Sequence, residues 1–187
     1  MAGFFFQSTK LSGAYIIDDF FAEDNRGGFT KCFEKDIYHA NGIEFHINES
    51  FISRSQKNII RGLHFQLKNP QAKLVTVLNG KVQDYIVDLR PNSDTYKKWI
   101  SVELSADNHK SIFVPRGFAH GFASLEDNTL MLYQCDGKYD QETDTGIRFD
   151  DTKIGIKWPI DESVAIHSDR DLKLQSFSEY EKNPMRL

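Results

Sequence analysis

The sequence predicts an all-β domain, a sandwich or barrel, and three observations carry that expectation. Short apolar-alternating runs bounded by turn residues recur from Ala14 to Trp158, helical signals are weak, and Gly and Pro are scattered singly. Lys73–Leu78, Lys81–Leu89, Trp99–Leu104, Ser111–Val114 and Thr129–Gln134 read as strands. Asn79-Gly80 is a two-residue hairpin signal, and Arg90-Pro91-Asn92-Ser93-Asp94 is a turn cluster. Phe33 to Ala40 carries a short helical signal. So does the tail from Asp169 to Glu181, where Ser168 could cap and Leu172, Leu174 and Phe177 are apolar, packing on the barrel as short turns. With no repeat and no linker, residues 1–187 form a single domain.

Composition narrows the function. A chain of 187 residues with 40% hydrophobic and 13% aromatic residues can fill a core that hides roughly 70% of the unfolded surface. The net charge of −4, from 23 Lys+Arg and 27 Asp+Glu, comes without a long basic run, so a nucleic-acid or membrane-surface binder is not expected. A local cationic pocket for an anionic ligand remains compatible with it. Cys32 and Cys135 are distant and lack CxxC spacing, which suits reduced, buried thiols. No apolar run of about eighteen residues and no signal-peptide order occur, so a cytoplasmic protein is expected.

Four clusters could carry chemistry. In Arg61-Gly62-Leu63-His64-Phe65-Gln66, strand alternation puts Gly62, His64 and Gln66 on one face, with Lys73 following. Facing a barrel interior, His64 would be a proton-transfer group; the alternative is a histidine satisfied within the core. Pro115-Arg116-Gly117-Phe118-Ala119-His120 resembles the second motif of cupin barrels. Metal-binding cupins need a His-x-His pair and a glutamate. Here the pair reads His64-Phe65-Gln66, and Lys73 stands where a carboxylate is wanted, so no metal is expected. Tyr133 and Tyr139 share a side only if the strand stays regular through Gly137; by themselves they read as packing residues. Ser168-Asp169-Arg170-Asp171 reads by itself as a solvated, capped turn.

Taken in order, Arg61-Gly-Leu-His64-Phe-Gln66, Lys73-Leu-Val, Val87-Asp-Leu-Arg90, Glu103-Leu-Ser, Pro115-Arg-Gly-Phe-Ala-His120-Gly-Phe, Tyr133, Gly146-Ile-Arg148, Gly155-Ile-x-Trp158-Pro159 and Ser168-Asp-Arg-Asp171 resemble the dTDP-4-dehydrorhamnose 3,5-epimerase family. The likeness runs from about Asp24 to Asp171. It implies a cupin-type jelly-roll barrel (a double-stranded β-helix) with a short helical C-terminal segment. It also implies a homodimer without metal or cofactor, epimerising a dTDP-linked 4-keto-6-deoxyhexose in rhamnose biosynthesis. By resemblance, His64 is the base, Asp171 orients it, Lys73 lies near the C4 oxygen and Tyr133 is the general acid. Arg26 and Arg61 would contact the diphosphate, with Phe29, Glu49, Gln66, His120 and Tyr139 around the ligand. Residues 1–30 would lie at the dimer interface, where the apolar Phe4, Phe5 and Phe6 are hard to leave in water.

Some positions depart from the family's pattern. Gly28 replaces an aromatic residue, Lys31 a glutamate, and Glu49, Ser50 and Phe51 replace Gln-Asp-Asn. Three alternatives follow: epimerisation at C3 or C5 alone, another nucleotide sugar as substrate, or a sugar-nucleotide-binding barrel without turnover.

Overall fold

A computed structural model describes residues 3–185; the ends of the expected domain, residues 1, 2, 186 and 187, lie outside the described residues. Its strands are β1 (Phe5–Ser8), β2 (Tyr15–Asp18), β3 (Phe20–Asp24), β4 (Gly27–Lys31), β5 (Glu49–Ser55), β6 (Ile60–Gln66), β7 (Lys73–Asn79), β8 (Lys81–Asp88), β9 (Trp99–Ser105), β10 (Lys110–Val114), β11 (Phe118–Ser124), β12 (Thr129–Cys135) and β13 (Asp144–Gly146). Helices α1 (Lys35–Ala40) and α2 (Phe177–Tyr180) and a 3-10 turn at Asp171–Lys173 complete it.

Two antiparallel sheets dominate. One has the order β1-β2-β10-β7-β12-β5, the other β13-β6-β11-β8-β9, and β3 pairs with β4 as a separate hairpin. They face each other because alternate residues of both meet in one buried cluster. Val75, Val77, Ile112 and Met131 come from the first sheet, and Val82, Ile86, Phe118 and Phe122 from the second. Each such side chain, removed from water, contributes roughly 1.5–3 kcal/mol.

Asn79-Gly80 does not close a hairpin. β7 pairs with β10 and β12, whereas β8 pairs with β9 and β11. Gly80 takes φ 78° where a side chain would collide with Thr129, and the chain crosses from one sheet to the other. The local turn chemistry was real; which strands it joins is decided by the core. Helix α1 begins at Lys35, two residues after the expected Phe33.

The tail forms short turns. Ser176 and Glu179 make a reciprocal capping box at α2, while Phe177 and Tyr180 bury beside Phe65 and Leu89. Tyr180 donates its hydroxyl to the Leu89 carbonyl at 2.9 Å. These contacts fix the tail against β6. At the other end, Phe4 and Phe6 pack around Tyr38, leaving only Phe5 of that aromatic trio exposed.

Candidate active site

Between the sheets lies a cavity of about 300 Å³. The five-stranded sheet supplies Arg61, His64, Gln66 and His120; the six-stranded sheet supplies Glu49, Phe51, Lys73 and Tyr133. Tyr139, Asp144 and Arg170 line it from the connecting segments and β13.

β6 and β11 approach unusually closely here. Gly62 has φ 117°, and a side chain on it would meet the Gly121 Cα at 2.6 Å and the His120 carbonyl at 2.8 Å. Two glycines therefore let the backbones touch, and the register shifts between His120 and Phe122, with His64 and His120 as cross-strand partners.

His64 Nε2 lies 2.7 Å from Asp171 Oδ1. The Asp171 side chain is 4% exposed, and Gly62 donates its N–H to the second carboxylate oxygen at 3.4 Å. Burial works to raise the Asp171 carboxyl, but the hydrogen bond and charge of His64, aided by Gly62, outweigh it and hold the group below its usual 3.8. An ionised acceptor beside Nε2 places the ring proton there and leaves the lone pair on Nδ1. Ser168 Oγ accepts the Asp171 N–H at 3.0 Å, but the expected cap falls elsewhere: the 3-10 turn starts after Arg170 with no side-chain cap bond, and α2 is capped by Ser176.

A second pair lies deeper: His120 Nε2 is 2.8 Å from Asp84 Oδ2, and both are buried. Burial pushes the Asp84 carboxyl up, with His120 and Lys73 pulling it back. Burial also lowers the Lys73 ammonium from 10.5. Among the described residues, no carboxylate forms an ion pair with it.

Tyr133, 6% exposed, lies with its ring parallel to Phe51 (centroids 4.8 Å apart, planes at 8°) and edge-on to His120. Among the described residues its hydroxyl hydrogen-bonds weakly, at 3.8 Å, to the sulfur of Met131, with the Ser53 side chain beside it. Burial drives the hydroxyl far above its ordinary 10, so it keeps its proton.

The remaining expected residues divide. Arg61 lines the cavity and donates to Ser55 Oγ and the Arg54 carbonyl. Glu49 accepts from Gln71, which also donates to the Gly137 carbonyl. Gln66, expected at the ligand, instead uses its amide on the loop over the cavity: it donates to the Asn69 and Lys138 carbonyls and accepts from Asp140. That loop carries Tyr139 back to the cavity although the strand ends at Cys135. Tyr139 donates to Asp144, which also accepts from Arg170 at 2.7 Å.

Arg26 and Phe29 are not brought to this cavity. They sit on the β3–β4 hairpin, exposed, with Arg26 paired to Asp24. The missing aromatic at Gly28 has a physical explanation. Phe21, across the hairpin, fills that space: a Cβ on Gly28 would lie 2.5 Å from its ring, which stacks on His109 at 3.7 Å.

Sequence reasoning missed Asp84, Asp144 and Arg170. Asp84 had a signal: it is a carboxylate within the strand-like run Lys81–Leu89, just before the apolar Tyr85-Ile86-Val87, and the structure sets it diagonal to His120 across the β8–β11 pairing. Arg170 stood beside Asp171 in the same motif.

Residues 8–179 match a family model described as dTDP-4-dehydrorhamnose 3,5-epimerase. A protein of that name from Methanothermobacter thermautotrophicus is 44% identical over 176 residues, covering 92% of this chain and 95% of the relative. Its Escherichia coli counterpart is 39% identical over 173 residues, covering 91% and 93%. The Legionella pneumophila dTDP-6-deoxy-D-glucose-3,5-epimerase, solved with dTDP-4-keto-L-rhamnose, superposes with TM-score 0.92 at 33% identity, covering 99% of this chain and 100% of that one.

Proposed function

The chain belongs to the dTDP-4-dehydrorhamnose 3,5-epimerase family, and from that premise we propose how its own residues invert C3 and C5 of dTDP-4-dehydro-6-deoxy-D-glucose. The product is dTDP-4-dehydro-L-rhamnose, in rhamnose biosynthesis. Hydrogens flanking the C4 ketone are weakly acidic. His64 removes one through its free ring nitrogen; the C–H electron pair moves into the enolate, with charge on the C4 oxygen. Asp171 holds the imidazole and stabilises the imidazolium that forms. The Lys73 ammonium answers the enolate oxygen, an interaction whose removal costs about 10²- to 10³-fold in comparable sites. Tyr133 then gives its proton to the opposite face of the carbon and recovers one from solvent. The imidazolium of His64 releases its proton to solvent, and repetition at the second carbon completes the double inversion.

The observation that carries this reading is that the proposed base and acid line one cavity from different sheets, which lets them meet opposite faces of a sugar held between them. Each imidazole is already engaged by its own carboxylate, and a lysine shares the cavity. The chemistry is complete with these groups, without metal or cofactor.

Arg61 and Arg170 at the cavity suit the diphosphate, as guanidinium groups make forked, charge-assisted bonds to phosphate oxygens. Arg26 and Phe29 point to a homodimer in which the β3–β4 hairpin of one copy completes the cavity of the other, with residues 1–30 at the interface. The whole chain, 1–187, is read as one catalytic domain. The free thiols of Cys32 and Cys135 suit the reducing cytoplasm, and no helix among the described residues is long and apolar enough to cross a membrane.

Incubation with dTDP-4-dehydro-6-deoxy-D-glucose, followed by ketone reduction and NMR of the sugar, tests the reading. Inversion at C3 and C5 supports it. Inversion at one carbon, or at neither despite nucleotide binding, overturns the double-epimerase reading.

A further inference from the structure

We propose that Phe51 is the positioning residue of the proton-returning tyrosine: its ring face holds Tyr133 on the line to the sugar carbon. The proposal rests on the reading that Tyr133 is the acid. Phe51 and Tyr133 are direct cross-strand partners of β5 and β12, so their side chains rise together on one face. Their rings lie parallel at 8° with centroids 4.8 Å apart. Phe51 is 47% exposed, a large apolar ring left at the wall of the cavity, while the tyrosine it covers is 6% exposed.

The hydroxyl does not orient that ring. Among the described residues its hydrogen bond is the weak one to Met131 sulfur at 3.8 Å, and Ser53 lies beside it outside full hydrogen-bond geometry, so ring packing dominates the direction of the O–H. Two neighbours define the packing. His120 meets the ring edge-on, 5.7 Å away, and is itself fixed by Asp84. Phe51 supplies the parallel contact from β5, an edge strand paired only with β12. Without Phe51, one face of the tyrosine loses its support and the O–H is free to swing off the substrate.

The consequence is specific to one branch of the reaction. After His64 takes the proton and the electron pair enters the enolate, the carbon has two sources of return. Tyr133 protonates the opposite face and inverts the centre. Protonated His64, having exchanged with solvent, protonates the original face and leaves the centre unchanged. Displacing Tyr133 slows the first return and spares the second. In heavy water the ratio of exchange to inversion therefore rises, whereas loss of folding or substrate binding lowers both together.

The test compares wild type with F51A, F51L, F51Y and Y133F on dTDP-4-dehydro-6-deoxy-D-glucose in heavy water, reading deuterium by mass spectrometry and configuration by NMR after reduction. F51A raises the exchange-to-inversion ratio about twofold to tenfold, the size of one aromatic stack, and F51Y restores it. dTDP affinity stays as in wild type. F51L retains apolar bulk at this half-exposed position but no flat face, and it gives a raised ratio should F51A fold poorly. A wild-type ratio in F51A and F51L, or equal rises in F51A and F51Y, overturns the role of Phe51. Y133F separates the two claims: if it leaves the ratio unchanged, the acid assignment itself falls; if it raises the ratio while F51A and F51L do not, only the Phe51 inference falls.

Discussion

His64 and Tyr133 line one cavity from opposing sheets, His64 on β6 of the five-stranded sheet and Tyr133 on β12 of the six-stranded one. A sugar between them presents opposite faces to the two groups. On the proposed mechanism, the sheet-to-sheet separation that builds the core also separates base from acid.

The 2.7 Å bond from His64 to Asp171 fixes which ring nitrogen is free. D171N would leave an amide that no longer selects the tautomer or stabilises the imidazolium. The expected result is a kcat lower by about 10³- to 10⁴-fold, with KM for the nucleotide sugar changed by less than about threefold. Steady-state kinetics check this, and near-normal kcat would exclude Asp171 as the orienting group.

On the proposed mechanism, Lys73 acts only while it carries charge. Because burial lowers its ammonium from 10.5, deprotonation comes earlier on rising pH than for a free lysine. Wild-type kcat should fall on the alkaline side at a pH below 10.5. K73Q should lose about 10²- to 10³-fold in kcat, and its remaining activity should lack that alkaline fall. A pH–rate profile of both enzymes decides it; an unchanged alkaline limb in K73Q assigns the limb to another group.

Asp19 lies outside the cavity, 5% exposed, accepting from Ser111 at 2.6 Å. Burial pushes its carboxyl from 3.8 up to about 7. The folded chain therefore holds a proton that the unfolded chain has lost across that window. The associated stability is full below 3.8 and is lost as pH rises through about 7. D19N, uncharged throughout, should gain on wild type by roughly 2 kcal/mol between pH 5 and 8. Thermal melts across this range check the sign; a pH-independent difference would refute it.

Gly62 offers a stability test. A methyl there meets backbone of β11 at 2.6 and 2.8 Å and demands φ 117° of an alanine. G62A should cost more than about 2 kcal/mol, measured by chemical denaturation. A loss below about 0.5 kcal/mol would show that β6 and β11 can separate freely.

Much of this was legible in the sequence because strand alternation and ordered motifs are local signals. Lys73–Asn79, Lys81–Asp88 and Thr129–Cys135 appeared nearly at their observed bounds, and His64, Lys73 and Tyr133 do reach one cavity, with Asp171 bonded behind His64. What sequence could not reveal was pairing. Asn79-Gly80 carries hairpin chemistry, yet whether its strands pair depends on residues far along the chain. Gln66 sits at the wall as alternation required, but its amide is taken by Asn69, Lys138 and Asp140 through a fold-back invisible in one dimension. The exposure of Arg26 and Phe29 is likewise a tertiary fact: the hairpin bearing them stands away from its own cavity.

The role of His64 is tested most directly by H64A in heavy water with dTDP-4-dehydro-6-deoxy-D-glucose, with deuterium read at C3 and C5 and dTDP binding measured alongside. The expected result is intact nucleotide binding with no deuterium at either carbon, because the other imidazole of the cavity, His120, is buried and already bonded to Asp84. Deuterium entering at the wild-type rate would contradict the mechanism.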